Sequence, residues 1–257
     1  LESQGFAAVK GKRIGLLTHP AGVNRRGEST IDVLRRAPGV KLVALYGPEH
    51  GIYGDEAAEV QIPDRRDKRT GLPVFSIYGK YQRPTKGQLK NLDAMVIDLQ
   101  DIGSRSYTFV SAMRYTMEAC FENNVEVIVL DRPNPLGGLL CEGPVREDRF
   151  ASFIGYGPTP VSHGMTSGEL ARFFNVEMSI GCDLTVVPMK GWRRSMIWDE
   201  TGLDWVQTSP HIPHALNAHL YIATGMIGGL AKNVNEGVGY TLPFETIAAE
   251  WIDREAF

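Results

Sequence analysis

Long hydrophobic runs are missing from this 257-residue chain. No stretch approaches the roughly 20 apolar residues that crossing a bilayer takes. An excess of positive charge is missing too. The formal net charge is −3, which leaves no basic footprint for a nucleic-acid partner. Cysteine is scarce. Cys120, Cys141 and Cys182 are too few and too scattered for a disulfide framework, and none stands in a C-x-x-C pair. A zinc or redox site is therefore unsupported. One bond with one thiol left over stays open, so cysteine does not give the compartment. There is no G-x-G-x-x-G turn and no P-loop, so a dinucleotide or a nucleoside triphosphate would find no phosphate cradle. The G-x-S-x-G elbow of a serine esterase is absent as well. The chain does not begin with Met and carries no basic-then-apolar leader, as if a leader had been removed or the chain trimmed. The run 253–257 has no turn or stop signal, as if the chain were cut inside an element.

What is present is a core. Hydrophobic residues make up 43% and charged residues 22%, far from the composition of a disordered segment. Short runs rich in Val, Ile and Leu fall at 13–18, 41–46, 74–78, 94–99, 125–130 and 184–189. They show little polar alternation, as in parallel strands covered on both faces. Helical patterns lie between them. One spans 29–36, with Ser29 or Thr30 to cap it. A longer one spans 106–123, with Val110, Met113, Met117 and Cys120/Phe121 on one side. Thr166-Ser167-Gly168-Glu169 reads as a capping box opening a helix to about Phe174. Such alternation predicts an open α/β sheet. The pattern changes at Thr208-Ser209-Pro210, which places a domain over 1–207 and the start of a second over 208–257.

Ligands of open α/β sheets bind beyond the carboxyl ends of the strands. The residues that follow the strands are therefore the ones to inspect. Glu49, between Pro48 and His50-Gly51, stands on a tight turn where a partly desolvated carboxylic acid can act as a proton donor. Stabilising the turn through backbone N–H groups explains it equally well. Asp98 ends a buried run, so it needs a partner, and Arg105 is one choice. Asp101 is placed to cap the next helix. Asp131 and Arg132 read as an ion pair, and Asn134 as a hydrogen-bonding contact for a sugar or amide. His211, His214 and His219 do not make a convincing metal set, because Pro213 interrupts the one useful spacing and no acidic ligand is adjacent. The tryptophans at 192, 198 and 205 read as packing residues, one of which is open to stacking on a sugar. Glu236, in a Gly-flanked loop, is either a second catalytic carboxylate or a turn residue.

Seven segments occur in a fixed order: Gly47 to Gly51 (GPEHG), Asp98 to Arg105 (DLQDIGSR), Asp131 to Pro135 (DRPNP), Ser162 to Thr166 (SHGMT), Gly191 to Arg194 (GWRR), Ser209 to Pro213 (SPHIP) and Asn233 to Gly239 (NVNEGVG). Together they resemble the DUF1343 family, described as exo-β-N-acetylmuramidases of the NamZ type. The resemblance covers nearly the whole chain. It implies a Rossmann-like, mostly parallel sheet with helices on both faces, a smaller C-terminal α/β domain only partly included in this chain, and a cleft between the two. It also implies an exported enzyme, periplasmic or extracellular, that removes N-acetylmuramic acid from the non-reducing ends of peptidoglycan fragments without a metal or organic cofactor. Its partner would be a peptidoglycan-derived sugar or muropeptide.

Carried over by motif, Glu49 corresponds to the catalytic acid. His50, Arg105, Asn134 and His163 fall on cleft-lining positions. The second catalytic group is left among Asp98, Asp101 and Glu236, with His163 or Tyr107 assisting by hydrogen bonding. Arg105 is the expected contact for the lactyl carboxylate of muramic acid. Two departures concern the second domain. Asn235 and Val238 stand where the family has Ser and Arg, and Gly228-Gly229-Leu230 where it tends to be acidic. They imply either an altered sugar or peptide preference or a subgroup with altered activity. Two rival readings are a non-catalytic muropeptide-binding protein on the same scaffold and a generic α/β hydrolase.

Overall fold

The six apolar runs become the parallel strands of one sheet. The computed structural model describes residues 1–57, 60, 63–230, 233–253 and 255. Its strands are β1 (Arg13–Thr18), β2 (Lys41–Gly47), β3 (Arg65–Arg66), β4 (Pro73–Ser76), β5 (Ala94–Asp98), β6 (Glu126–Leu130) and β7 (Leu184–Val187). They lie in the order β3-β4-β2-β1-β5-β6-β7. Every pairing is parallel except that of β3, a two-residue antiparallel edge. Without that edge the order is that of a doubly wound Rossmann sheet, whose direction of growth reverses between β1 and β5.

Helices cover both faces: α1 (Thr30–Arg36), α2 (Lys86–Leu89), α3 (Thr108–Glu122), α4 (Ser167–Val176) and α5 (Ala215–Leu230). Alternate strand residues feed two cores, as a period of two requires. Leu17, Met95 and Ile97 pack with Met113 and Met117 of α3 and with Leu170 and Phe174 of α4. Ile14, Leu16 and Val96 pack on the opposite face with Ile31 and Leu34 of α1. The segment after 208 joins the first core through Ile212, Ala218 and Phe244.

Caps end the helices where polar residues allow. Ser29 accepts from the Ile31 amide, and Thr166 with Glu169 forms the reciprocal capping box. Some sequence expectations shift. Helix α3 begins two residues later than its pattern, after Tyr107. Cys120 is buried, but its neighbour Phe121 turns outward at 54% exposure, one helical step off the apolar face. The short elements β3 and α2 and the long helix α5 were not legible as such. Residues 253–257, read as a cut element, lie mostly outside the described residues.

Candidate active site

The turn after β2 carries Glu49 and His50 away from the sheet edge. His50 holds a left-handed backbone at φ 68° and is buried, a conformation that costs a non-glycine residue on the order of 1 kcal/mol. Its Nδ1 lies 2.9 Å from the Glu56 carbonyl. A carbonyl only accepts, so Nδ1 carries the proton and Nε2 is the ring nitrogen left for other partners. Glu49 is half-buried at the start of α3, where Thr108 Oγ1 donates to its Oε2 at 2.7 Å. The first turn of a helix favours a carboxylate, because its unpaired N–H groups and the helix dipole point there.

Glu49 and His50 line a cavity of about 300 Å³ together with Ser106, Tyr107, Thr108, Ser209, His211, Tyr221 and Glu236. Two chain regions thus build it: the loops after β2 and β5, and the segment that runs from 209 through α5 to the Glu236 loop. Among the described residues no lysine or arginine lines it. A ladder of hydroxyls forms one wall. Ser104 Oγ is 3.1 Å from Ser106 Oγ, which is 3.2 Å from the Tyr221 hydroxyl. Burial raises the Tyr221 phenol, and the charges of Glu49, Asp101 and Glu236 add to the rise while Ser106 opposes it. Burial also raises Tyr107, whose hydroxyl donates to Thr208 Oγ1 at 3.0 Å. Both phenols therefore stay neutral donors. His211 is held below the ordinary histidine range, chiefly by burial, with His50 adding to the effect and Glu236 opposing it.

Behind this cavity sits a buried pair. His163 Nδ1 accepts from the Met165 amide at 3.1 Å, so its Nε2 carries the proton and donates to Asp101 Oδ2 at 3.0 Å. Asp101 Oδ2 also accepts from Gly103 N at 2.8 Å, so this carboxylate closes its own loop and does not cap α3. Neither Asp101 nor His163 lines the cavity.

Three other expected residues lie elsewhere. Asp98 is fully buried and pairs with Arg132, not Arg105, at 2.6 and 3.0 Å. The Arg132 guanidinium is thereby drawn away from Asp131, which caps α4 by accepting from Gly168 N at 2.7 Å. Arg105 turns its guanidinium to the carbonyls of Pro144 and Thr159, so it does not line the cavity as the contact for a substrate carboxylate. Asn134 spends its amide on Met165 O and Leu136 N at 3.1 and 2.9 Å, tying two loops together.

A larger cavity, about 650 Å³, opens beyond β6 and β7 beside Asp131, Lys190 and Trp192. It contains neither Glu49 nor Glu236. Trp198 and Trp205 pack edge to face, 4.8 Å between centroids. Among the described residues no group of three His, Cys, Asp or Glu side chains could hold a metal ion, and no helix is long and apolar enough to cross a membrane.

Several lining residues escaped the sequence reading. His211 drew attention only as part of a metal set, although it lies in an ordered motif with Ser209. Ser106 and Thr108 flank Tyr107 in a hydroxyl-rich run at a helix start, which was a usable signal. Tyr221 gave none, because α5 has no polar face to mark its register.

Known proteins with similar sequence and structure point the same way. The family model for the N-terminal part of exo-β-N-acetylmuramidase NamZ matches residues 14–216, and the model for its C-terminal part matches 219–257. The peptidoglycan β-N-acetylmuramidase NamZ of Bacillus subtilis strain 168 is 51% identical over 244 residues, 95% of this chain and 58% of that protein. A crystal structure of a DUF1343 family protein from Bacteroides fragilis NCTC 9343 superposes with a TM-score of 0.92 at 50% identity, over 99% of this chain and 65% of that one. A second from the same organism gives 0.80 at 31% identity, over 95% and 64%. This chain thus spans a little under two thirds of the length of these relatives. On the extent of these matches, it belongs to the exo-β-N-acetylmuramidase NamZ family.

Proposed function

We propose that the protein is a glycoside hydrolase that releases N-acetylmuramic acid from the non-reducing ends of peptidoglycan fragments, acting outside the cytoplasm. One observation carries the reading beyond family membership. Glu49 and Glu236, far apart in sequence, line the same cavity. Glycoside hydrolysis commonly needs such a pair, one carboxyl group to protonate the leaving oxygen and one to activate water or attack the anomeric carbon. Glu49 is the donor in this reading. It sits half-buried at a helix start with one oxygen fixed by Thr108. Glu236 is the second group, favoured over Asp98 and Asp101 because those two are committed to Arg132 and to His163 outside the cavity. The hydroxyls of Ser106, Tyr107, Thr108 and Tyr221 line the same space and suit the hydroxyl groups of a sugar, which both donate and accept.

The test is Glu49→Gln in the full-length protein. Release of muramic acid from a chromogenic muramide is expected to fall at least ~100-fold, the ordinary contribution of a general acid, with the circular dichroism spectrum unchanged. Near-normal turnover would remove Glu49 from the mechanism. Tight binding of a muropeptide by the unaltered protein without any turnover would favour a binding protein over an enzyme.

A further inference from the structure

Muramic acid differs from its parent amino sugar by an ether-linked lactyl group that ends in a carboxylate. A pocket that selects it must offer that carboxylate a donor, preferably a cationic one, because charge-assisted hydrogen bonds are about twice as strong as neutral ones. This pocket already contains two carboxyl groups, Glu49 and Glu236, and the ionised one repels another carboxylate. The guanidinium of Arg105 is committed to backbone carbonyls. Among the described lining residues only two side chains are basic, His50 and His211.

Their placement suits the task. His50 is fixed by its Nδ1 bond to Glu56 O, which leaves Nε2 as the uncommitted nitrogen. Its backbone is left-handed, and such strain concentrates at functional sites. His211 lies on the turn after Ser209, and both rings line the same cavity. No described residue occupies the ring nitrogens of His211.

We infer that His50 and His211 form the anion-recognising wall of the pocket and hold the lactyl carboxylate of a muramic acid residue through imidazolium–carboxylate hydrogen bonds. The inference rests on the muramidase reading and names the part of the sugar that the pocket selects.

The pH dependence follows from what faces the pair. Glu49 approaches from the β2 turn, Tyr107 from the start of α3, Tyr221 from α5 and Glu236 from the loop behind it. The phenols stay neutral in this range. An incoming carboxylate acts on His211 in the same direction as Glu236, so binding draws a proton onto His211. Affinity for the acid is therefore highest below the histidine range and falls as pH rises through it.

The experiment uses the full-length protein turning over a chromogenic muramide. N-acetylmuramic acid and its methyl ester serve as competitive inhibitors at pH 5.5 and pH 8. Groups that act on both ligands alike cancel in the ratio of their inhibition constants. The acid should bind about tenfold or more tighter than the ester at the lower pH, the usual worth of a hydrogen bond to a charged group. That preference should vanish at pH 8 and shrink in His211→Gln and in His50→Asn, asparagine being chosen because it tolerates the left-handed backbone. A preference for the acid that survives at pH 8 and in both variants overturns the inference and leaves the muramidase reading standing. A protein that neither turns over the muramide nor binds either ligand removes both. Ionisation of Glu49 or Glu236 would also weaken the acid at pH 8, so the two histidine variants carry the decision, and each is read independently of whether the other folds.

Discussion

Asp98 and Glu49 both stand where a strand gives way to a loop, and sequence position does not separate them. Their surroundings do. Asp98 has no exposed surface and meets Arg132 in a two-point ion pair, with the Thr30 hydroxyl donating to its second oxygen. Asp98→Asn should lower the unfolding free energy by about 3–5 kcal/mol, because a guanidinium that is itself mostly buried is left without its counter-charge. Urea denaturation of the variant measures this, and a change below ~1 kcal/mol would mean that the pair adds little to stability. The candidacy of Glu49 was legible from its motif and its tight turn. The partner of Asp98 was not, because partner choice depends on how far side chains reach across the sheet. Arg105 is near in sequence, but its guanidinium serves the carbonyls of another loop.

Helices and strands differed in how plainly they announced themselves. Strands β1, β2, β5 and β6 are runs of Val, Ile and Leu that no other element could accommodate, and α4 begins with a capping box. Helix α5 left no comparable mark, because Ala215–Leu230 is apolar around much of its circumference and carries glycines at 225, 228 and 229. Gly228 has a packing reason. A methyl group there would run into the Glu236 carboxyl group, so the acidic loop is seated directly on the bare helix backbone. Gly228→Ala should therefore separate stability from activity. Alanine gains up to about 1 kcal/mol of helix propensity, and the displaced atoms are the end of a flexible side chain. Thermal stability should hold or rise slightly, while kcat for the muramide falls as Glu236 is pushed from its seat. Unchanged kcat would show that the position of Glu236 does not govern the chemistry.

For the molecule as a whole, His19 has the widest reach. It follows β1, and it is buried. Its Nε2 accepts from the Gln100 backbone amide at 2.8 Å, beyond β5, and its Nδ1 reaches the Thr208 carbonyl at 3.2 Å, ahead of α5. Burial lowers its pKa from 6.5 to about 4, with the Thr208 contact opposing. The folded protein thus binds this proton less readily than the unfolded chain does. Stability attached to His19 is fully present above pH 6.5 and is lost as pH falls toward 4, by on the order of 3 kcal/mol. Denaturant midpoints measured between pH 7 and pH 4 should fall more steeply for the unaltered protein than for His19→Gln, and parallel slopes would show that His19 does not titrate in this way. The sequence made the Rossmann-like order of the parallel strands readable, but it did not reveal this tether, which joins three segments that only folding brings together. The tether also changes what the topology offers. At the crevice between β1 and β5, where sheets of this order customarily admit a dinucleotide, an imidazole and a backbone amide of the chain itself bond to one another. The chain thus supplies its own hydrogen-bonding partner at the place where a cofactor would otherwise offer one. The cavity proposed for the sugar lies instead among the loops after β2 and β5 and the segment from 209 onward, where side chains are exchangeable without opening the core.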